Sequence, residues 1–140
     1  MDFSGRNNDV LVIDGNTINF AFEVFPKHFI EVATAAPAVV CCRVSPTQKA
    51  TIVEMIKKYT KMRICAIGDG GNDVGMIQEA HVGIGIVGKE GMQAALAADF
   101  QINEFSVIEE LILWHGRLSY KRTAKLGQFV FHRGLIIAII

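Results

Sequence analysis

A doubly wound α/β domain with a parallel sheet is predicted by three features of this 140-residue chain. Short β-branched runs alternate with stretches of helical spacing, a glycine-rich acidic turn closes one of the runs, and the 51% hydrophobic content with 20% charge can supply a packed core. Such a composition excludes a disordered tail. Lys and Arg total fourteen, as do Asp and Glu, so no global field draws the chain to nucleic acid, and no nucleic-acid partner is expected.

The elements follow in order. Val10 to Ile13 reads as a strand ending at the turn signal Asp14-Gly15. Phe25 to Ala36 reads as a helix, with Pro26 in its first turn and Pro37 beyond its end. Ala38 to Arg43 is a second buried strand, and Ser45-Pro46-Thr47 caps a helix from about Gln48 to Tyr59 on which Ile52, Val53, Ile56 and Tyr59 share a face. Arg63 to Ile67 is a third strand running into Gly68-Asp69-Gly70-Gly71-Asn72-Asp73. A helix near Val74–Ala80, a strand at Val82–Ile86, a turn at Gly88–Gly91, a helix to Ala97 and a strand at Phe100–Ile102 complete the domain. Phe105 to about Phe131 then has helical spacing without proline and leads to the apolar run Gly134–Ile140.

Charge divides along the same line. Up to Glu110 nine basic residues face fourteen acidic ones, a net charge of −5, whereas from Leu111 onward there are five basic residues and no acidic one. Basic residues before an apolar run fit the positive-inside pattern and place the preceding α/β region in the cytosol. Seven apolar residues are fewer than the ~20 a membrane span needs, so Gly134–Ile140 reads either as the start of a span or as a last core element. No apolar signal-peptide core follows Met1-Asp2-Phe3-Ser4. Cys41, Cys42 and Cys65 lie in apolar runs without metal-like spacing, which predicts buried, reduced thiols.

Ligands of open α/β sheets bind where the carboxyl ends of the strands meet their loops. There Asp69 and Asp73 offer hard oxygen donors suited to Mg²⁺, with Asp69 the more direct ligand and Asn72 able to donate to phosphate. Taken alone, the same turn is also what a solvated loop capping a helix with Asp73 would look like. Lys49 falls in the first turn of a helix, where the macrodipole is positive, so a nearby anion is expected to offset the cost. A phosphate held between Lys49 and a Mg²⁺ on Asp69 satisfies both features.

Arg43-Val44-Ser45-Pro46-Thr47-Gln48-Lys49, Gly68-Asp69-Gly70-Gly71-Asn72-Asp73-Val74, and Ala80-His81-Val82-Gly83-Ile84-Gly85-Ile86 with Glu90-Gly91 resemble the second half of a P-type ATPase phosphorylation domain. Val74 stands where ion pumps have proline. The double glycine and Trp114-His115-Gly116-Arg117 through Gly134-Leu135-Ile136-Ile137 are most similar to the class 2 phospholipid-flippase branch.

The resemblance implies a partial haloacid-dehalogenase-like Rossmannoid sheet with helices on both faces over residues 1–104, a stalk helix over 105–133, and the start of a truncated transmembrane helix at 134–140. It implies that Lys49 steadies a phosphoryl group, Asp69 binds Mg²⁺, Asn72 and Asp73 complete the phosphate and metal site, and Arg43 lies on the ATP side. The implied activity is ATP-driven phospholipid translocation in an endomembrane of the Golgi or endosome, with residues 1–133 cytosolic and with the remaining domains of the same polypeptide as partners. The Asp-Lys-Thr-Gly motif that is phosphorylated in the family does not occur in the 140 residues, so the chain alone is expected to be inactive. Asp14, followed by Gly15-Asn16, reads as an ordinary strand end. Two alternatives stand beside this reading: a free-standing Mg²⁺-dependent phosphatase using Asp14, and a non-catalytic truncated isoform.

Overall fold

The computed structural model describes residues 9–88 and 92–139. The predicted turn around Lys89-Glu90-Gly91, the N-terminal segment Met1-Asp2-Phe3-Ser4 and the final Ile140 lie outside them. The described chain divides into two compact units, one through Gln101 and one from Ile102.

The first unit is α/β. Strand β1 (Leu11–Asp14) pairs in parallel with β2 (Val39–Cys42), with Leu11 opposite Val39 and Asp14 opposite Cys42. Between them run α1 (Gly15–Val24) and α2 (Pro26–Ala35), a crossover of the kind parallel pairing requires. Helix α3 (Pro46–Tyr59) leads to β3 (Cys65–Gly68), which pairs in parallel with β4 (Val82–Ile86), and β5 (Phe100–Ile102) follows β4 in the order β3-β4-β5. Helices α4 (Val74–Glu79) and α5 (Gln93–Ala97) connect these strands.

The strands thus form two sheets, β1-β2 and β3-β4-β5, where the sequence reading expected one. Neither β1 nor β3 is hydrogen-bonded to the other, and each is an edge. This division explains the cysteines. Cys41 and Cys42 on β2 and Cys65 on β3 are exposed, contrary to the expectation of burial, because that expectation presumed a sheet covered on both faces. All four residues of β2 are in fact exposed.

Helix α1 was not foreseen. Asp14 is its N-cap, accepting from the Asn16 N–H at 3.4 Å, and Ile18 and Ala21 one turn apart face inward. Between α1, α2, α3 and β2 lies an apolar cavity of about 250 Å³ lined by Ile18, Phe22, Ile30, Val39, Cys41 and Ile56 among others. In the second part of the unit, Ala66, Ile77 and Ala94 form a buried cluster. The β4 end is fixed by reciprocal bonds, Gly83 N–H to Asp99 Oδ2 at 2.8 Å and Asp99 N–H to the Gly83 carbonyl at 3.0 Å.

The second unit is helical. A 3₁₀ turn at Phe105–Val107 precedes a π-helical stretch at Glu110–Gly116, which continues into α6 (Arg117–Ile139). Along α6 no residue is buried. No helix among the described residues is both long and apolar enough to cross a membrane. The five cations Arg117, Lys121, Arg122, Lys125 and Arg133 are spread along its length, which lowers its mean hydropathy.

Candidate phosphate and metal site

The site is built around the first turn of α3. Ser45 caps that helix with a complete capping box: its Oγ accepts from the Gln48 N–H at 3.2 Å, and Gln48 Oε1 accepts from the Ser45 N–H at 2.8 Å. Pro46 at the first helical position costs nothing there, since its missing N–H would have had no helical partner. The same first turn carries Lys49, whose N–H closes it on the Ser45 carbonyl at 3.0 Å.

Lys49 Nζ lies 2.6 Å from Asp73 Oδ1, an ion pair that draws α3 to the turn after β3. Asp73 is 7% exposed and is the buried charged residue of the described core. It makes no capping bond to α4, so its carboxylate serves Lys49 and not the helix. Gly68, the last residue of β3, has no room for a side chain, because a Cβ there would overlap that of Asp73. A second pair, Lys57 Nζ to Glu79 Oε1 at 2.9 Å and to the Glu79 carbonyl at 2.7 Å, joins the far ends of α3 and α4.

Three strands send their carboxyl ends to this place. Gly15, after β1, abuts the Arg43 carbonyl that follows β2, where an added Cβ would come within 2.6 Å of the oxygen. Arg43 adopts a left-handed conformation with φ of 53°, uncommon outside glycine, and its side chain is exposed. Asp69 and Asn72 are exposed on the loop after β3. The structure therefore brings Lys49 and Asp73 into contact. Arg43, Asp69 and Asn72 stand at the ends of β2 and β3, none with a side-chain hydrogen bond or ion pair among the described residues.

No cluster of three metal-ligating side chains occurs among the described residues. The carboxylates Asp69 and Asp73 could hold Mg²⁺, an ion that takes one or two carboxylates and keeps several waters. Asp69 supplies an exposed hard oxygen donor, while one oxygen of Asp73 is already held by Lys49. Sequence reading overlooked Gln48, whose Nε2 donates at 2.9 Å to both the Gly15 carbonyl and Asn19 Oδ1. The Ser45-x-x-Gln48 capping pattern was the available signal, but nothing in spacing alone points to Gly15, 33 positions away.

Comparison with known proteins bears on this geometry. Residues 95–140 match the family of the phospholipid-translocating P-type ATPase C-terminal region. The chain is 57% identical over 136 residues to a human protein named probable phospholipid-transporting ATPase IIB, covering 97% of this chain and 12% of that protein. It is 57% identical over 134 residues to the phospholipid-transporting ATPase NEO1 of Saccharomyces cerevisiae, covering 96% and 12%.

Over nearly its whole length the chain is similar to one segment of the phospholipid-transporting P-type ATPases.

Phospholipid-transporting ATPase 2 of Arabidopsis thaliana is similar too, at 50% identity over 129 residues, 92% of this chain and 12% of that protein. The chain thus spans about an eighth of the length of these relatives. In a P-type ATPase of this branch, the loop Gly68–Asp73 and the turn Arg43–Lys49 lie within the region of shared sequence.

Proposed function

We propose that this chain supplies the Mg²⁺- and phosphate-binding part of the phosphorylation site in an ATP-driven phospholipid translocase of the class 2 flippase branch, with a haloacid-dehalogenase-like fold. The observation that carries this reading is the Lys49–Asp73 ion pair at the strand ends, 2.6 Å long and largely withdrawn from water. A lysine in the first turn of a helix needs an anion, and a phosphoryl group beside Asp73 is well placed to share it. The two sheets support the fold assignment, because β1 and β3 are unpaired edges whose carboxyl ends both reach the first turn of α3. In this reading a parallel strand carrying the phosphorylated aspartate pairs with those edges.

The chemistry then follows. A carboxylate oxygen of an aspartate outside these 140 residues attacks the γ-phosphorus of ATP, the bond to the ADP oxygen breaks, and ADP leaves. Water later cleaves the aspartyl-phosphate, releasing phosphate and restoring the carboxylate. Lys49 holds an equatorial oxygen of the group in transfer, Asp73 fixes the ammonium of Lys49, Asn72 donates an amide hydrogen to a phosphate oxygen, and Arg43 faces the nucleotide. Mg²⁺, when bound through Asp69 with Asp73 beside it, neutralises the charge that spreads over the phosphoryl oxygens.

Residues 1–104 belong in this reading to the phosphorylation domain, 105–133 to a stalk, and 134 onward to a helix entering an endomembrane of the Golgi or endosome, with phospholipid as cargo. Residues 1–133 would face the cytosol. The test is phosphoenzyme formation from labelled ATP in the complete pump. Asp69→Asn abolishes it and Lys49→Ala reduces it at least about a hundredfold, the scale of losing one transition-state charge contact. Normal phosphoenzyme levels in both variants would remove the site assignment.

A further inference from the structure

Gln48 has the most connected side chain among the described residues of the site. Its Oε1 completes the capping box with Ser45, and that alone would satisfy the helix end. Its Nε2 does something the cap does not require. It donates at 2.9 Å to the Gly15 carbonyl and at 2.9 Å to Asn19 Oδ1, fastening the first turn of α3 to the turn between β1 and α1.

Both anchors stand on α1. Gly15 is buried and pressed against the Arg43 carbonyl, and Asn19 stands on the first turns of α1. The residue after Gln48 is Lys49. A lysine carries its ammonium on a flexible four-carbon stem, so the ammonium is placed reproducibly only if the backbone beneath it is fixed. Helix ends fray first, and Lys49 lies near one.

We propose that Gln48 is a positioning residue for phosphoryl transfer, tying the first turn of α3 to Gly15 and Asn19 so that Lys49 presents its ammonium at a fixed point. The inference rests on the reading of Lys49 given above. Gln48 acts through Lys49, so its loss slows the chemical step without weakening nucleotide binding.

The experiment measures single-turnover phosphoenzyme formation in the complete pump, per mole of folded enzyme, over a range of ATP concentrations. Gln48→Ala slows phosphorylation about tenfold with the half-saturating ATP concentration unchanged, in line with losing well-formed hydrogen bonds that orient a catalytic group. Gln48→Glu is similarly slow, because a carboxylate can accept from Ser45 but cannot donate to the Gly15 carbonyl. In a Lys49→Arg background, Gln48→Ala costs less than about twofold, since the group it positions has been replaced. An unimpaired Gln48→Glu, or an equal cost in both backgrounds, overturns the proposal. If Gln48→Ala does not accumulate, Asn19→Ala removes one anchor and is expected to slow phosphorylation in the same direction; a normal rate there overturns the proposal. Normal phosphoenzyme in Lys49→Ala would sink the underlying site reading, whereas its loss there with normal rates in Gln48→Ala and Asn19→Ala would sink only the positioning role.

Discussion

The ammonium of Lys49 meets the carboxylate of Asp73 at 2.6 Å across 24 positions of sequence, with the Asp73 side chain 10% exposed and that of Lys49 31% exposed. Removing the lysine leaves a mostly buried carboxylate without its partner, which costs more than losing the attraction alone. Lys49→Met is therefore expected to destabilise the chain by about 2 kcal/mol, reduced from the fully buried case because the lysine is partly solvated. The double variant Lys49→Met with Asp73→Asn should recover part of that loss. Urea unfolding of the two variants and the unsubstituted chain checks this, and equal stability of Lys49→Met and the unsubstituted chain would contradict it.

Gly15→Ala is a second backbone test. The added methyl would sit 2.6 Å from the Arg43 carbonyl and 3.1 Å from Gln48 Oε1, and the carbonyl belongs to a residue already in a left-handed conformation. Something must shift, at a cost of roughly 1–3 kcal/mol of the overpacking kind. Gly127→Ala on α6 meets no atom within 4 Å and serves as the control, expected to be neutral or slightly stabilising. Thermal unfolding compares the two.

The alternation of strands and helices was legible because β-branched runs and Gly or Pro breaks fell at regular intervals, and the first turn of α3 was legible from Ser45-Pro46. Helix α1 was not, since the Asp14-Gly15 pair reads equally as a turn and as an N-cap, and only Ile18 and Ala21 facing inward decide between them. Lys49 meets Asp73, a pairing that sequence spacing did not point to, since it offered a phosphate as the anion beside Lys49 and gave Asp73 to a metal or a helix cap. Division into two sheets was invisible, because which strand edges pair with one another is a long-range matter that no local pattern encodes. The misreading of the cysteines followed from it.

Thiol chemistry gives a pH test. Partial burial raises the Cys41 thiol above its ordinary value, with the neighbouring Cys42 adding to the effect, and partial burial raises Cys65. Raised values mean the folded chain favours the neutral thiol, so the associated stability is present below the ordinary thiol range and is lost as pH rises through it. Alkylation follows the thiolate. Iodoacetamide labelling of Cys41 and Cys65, followed by mass spectrometry, should therefore reach its half-maximal rate at a higher pH than an unstructured cysteine peptide. A midpoint at or below that of the peptide would contradict the upward shift of these thiols.

The unpaired edges of β1 and β3 lead to the last expectation. Val10 and Val12 are 53% and 65% exposed, and Leu96, Phe131 and Ile139 are 79%, 78% and 82% exposed. Large apolar patches and unpaired strand edges both promote association. The 140-residue chain alone should bind a hydrophobic dye and scatter light at micromolar concentration, whereas a monodisperse monomer that unfolds cooperatively would show that these surfaces need no cover. The same preparation separates the competing activities. Asp14 is occupied as the N-cap of α1, so Asp14→Asn should leave the fold intact, and neither form should turn over p-nitrophenyl phosphate with Mg²⁺. Turnover lost on Asp14→Asn would replace the translocase reading with that of a free-standing phosphatase, because it would place the nucleophile within the chain and leave no need for a strand from outside it.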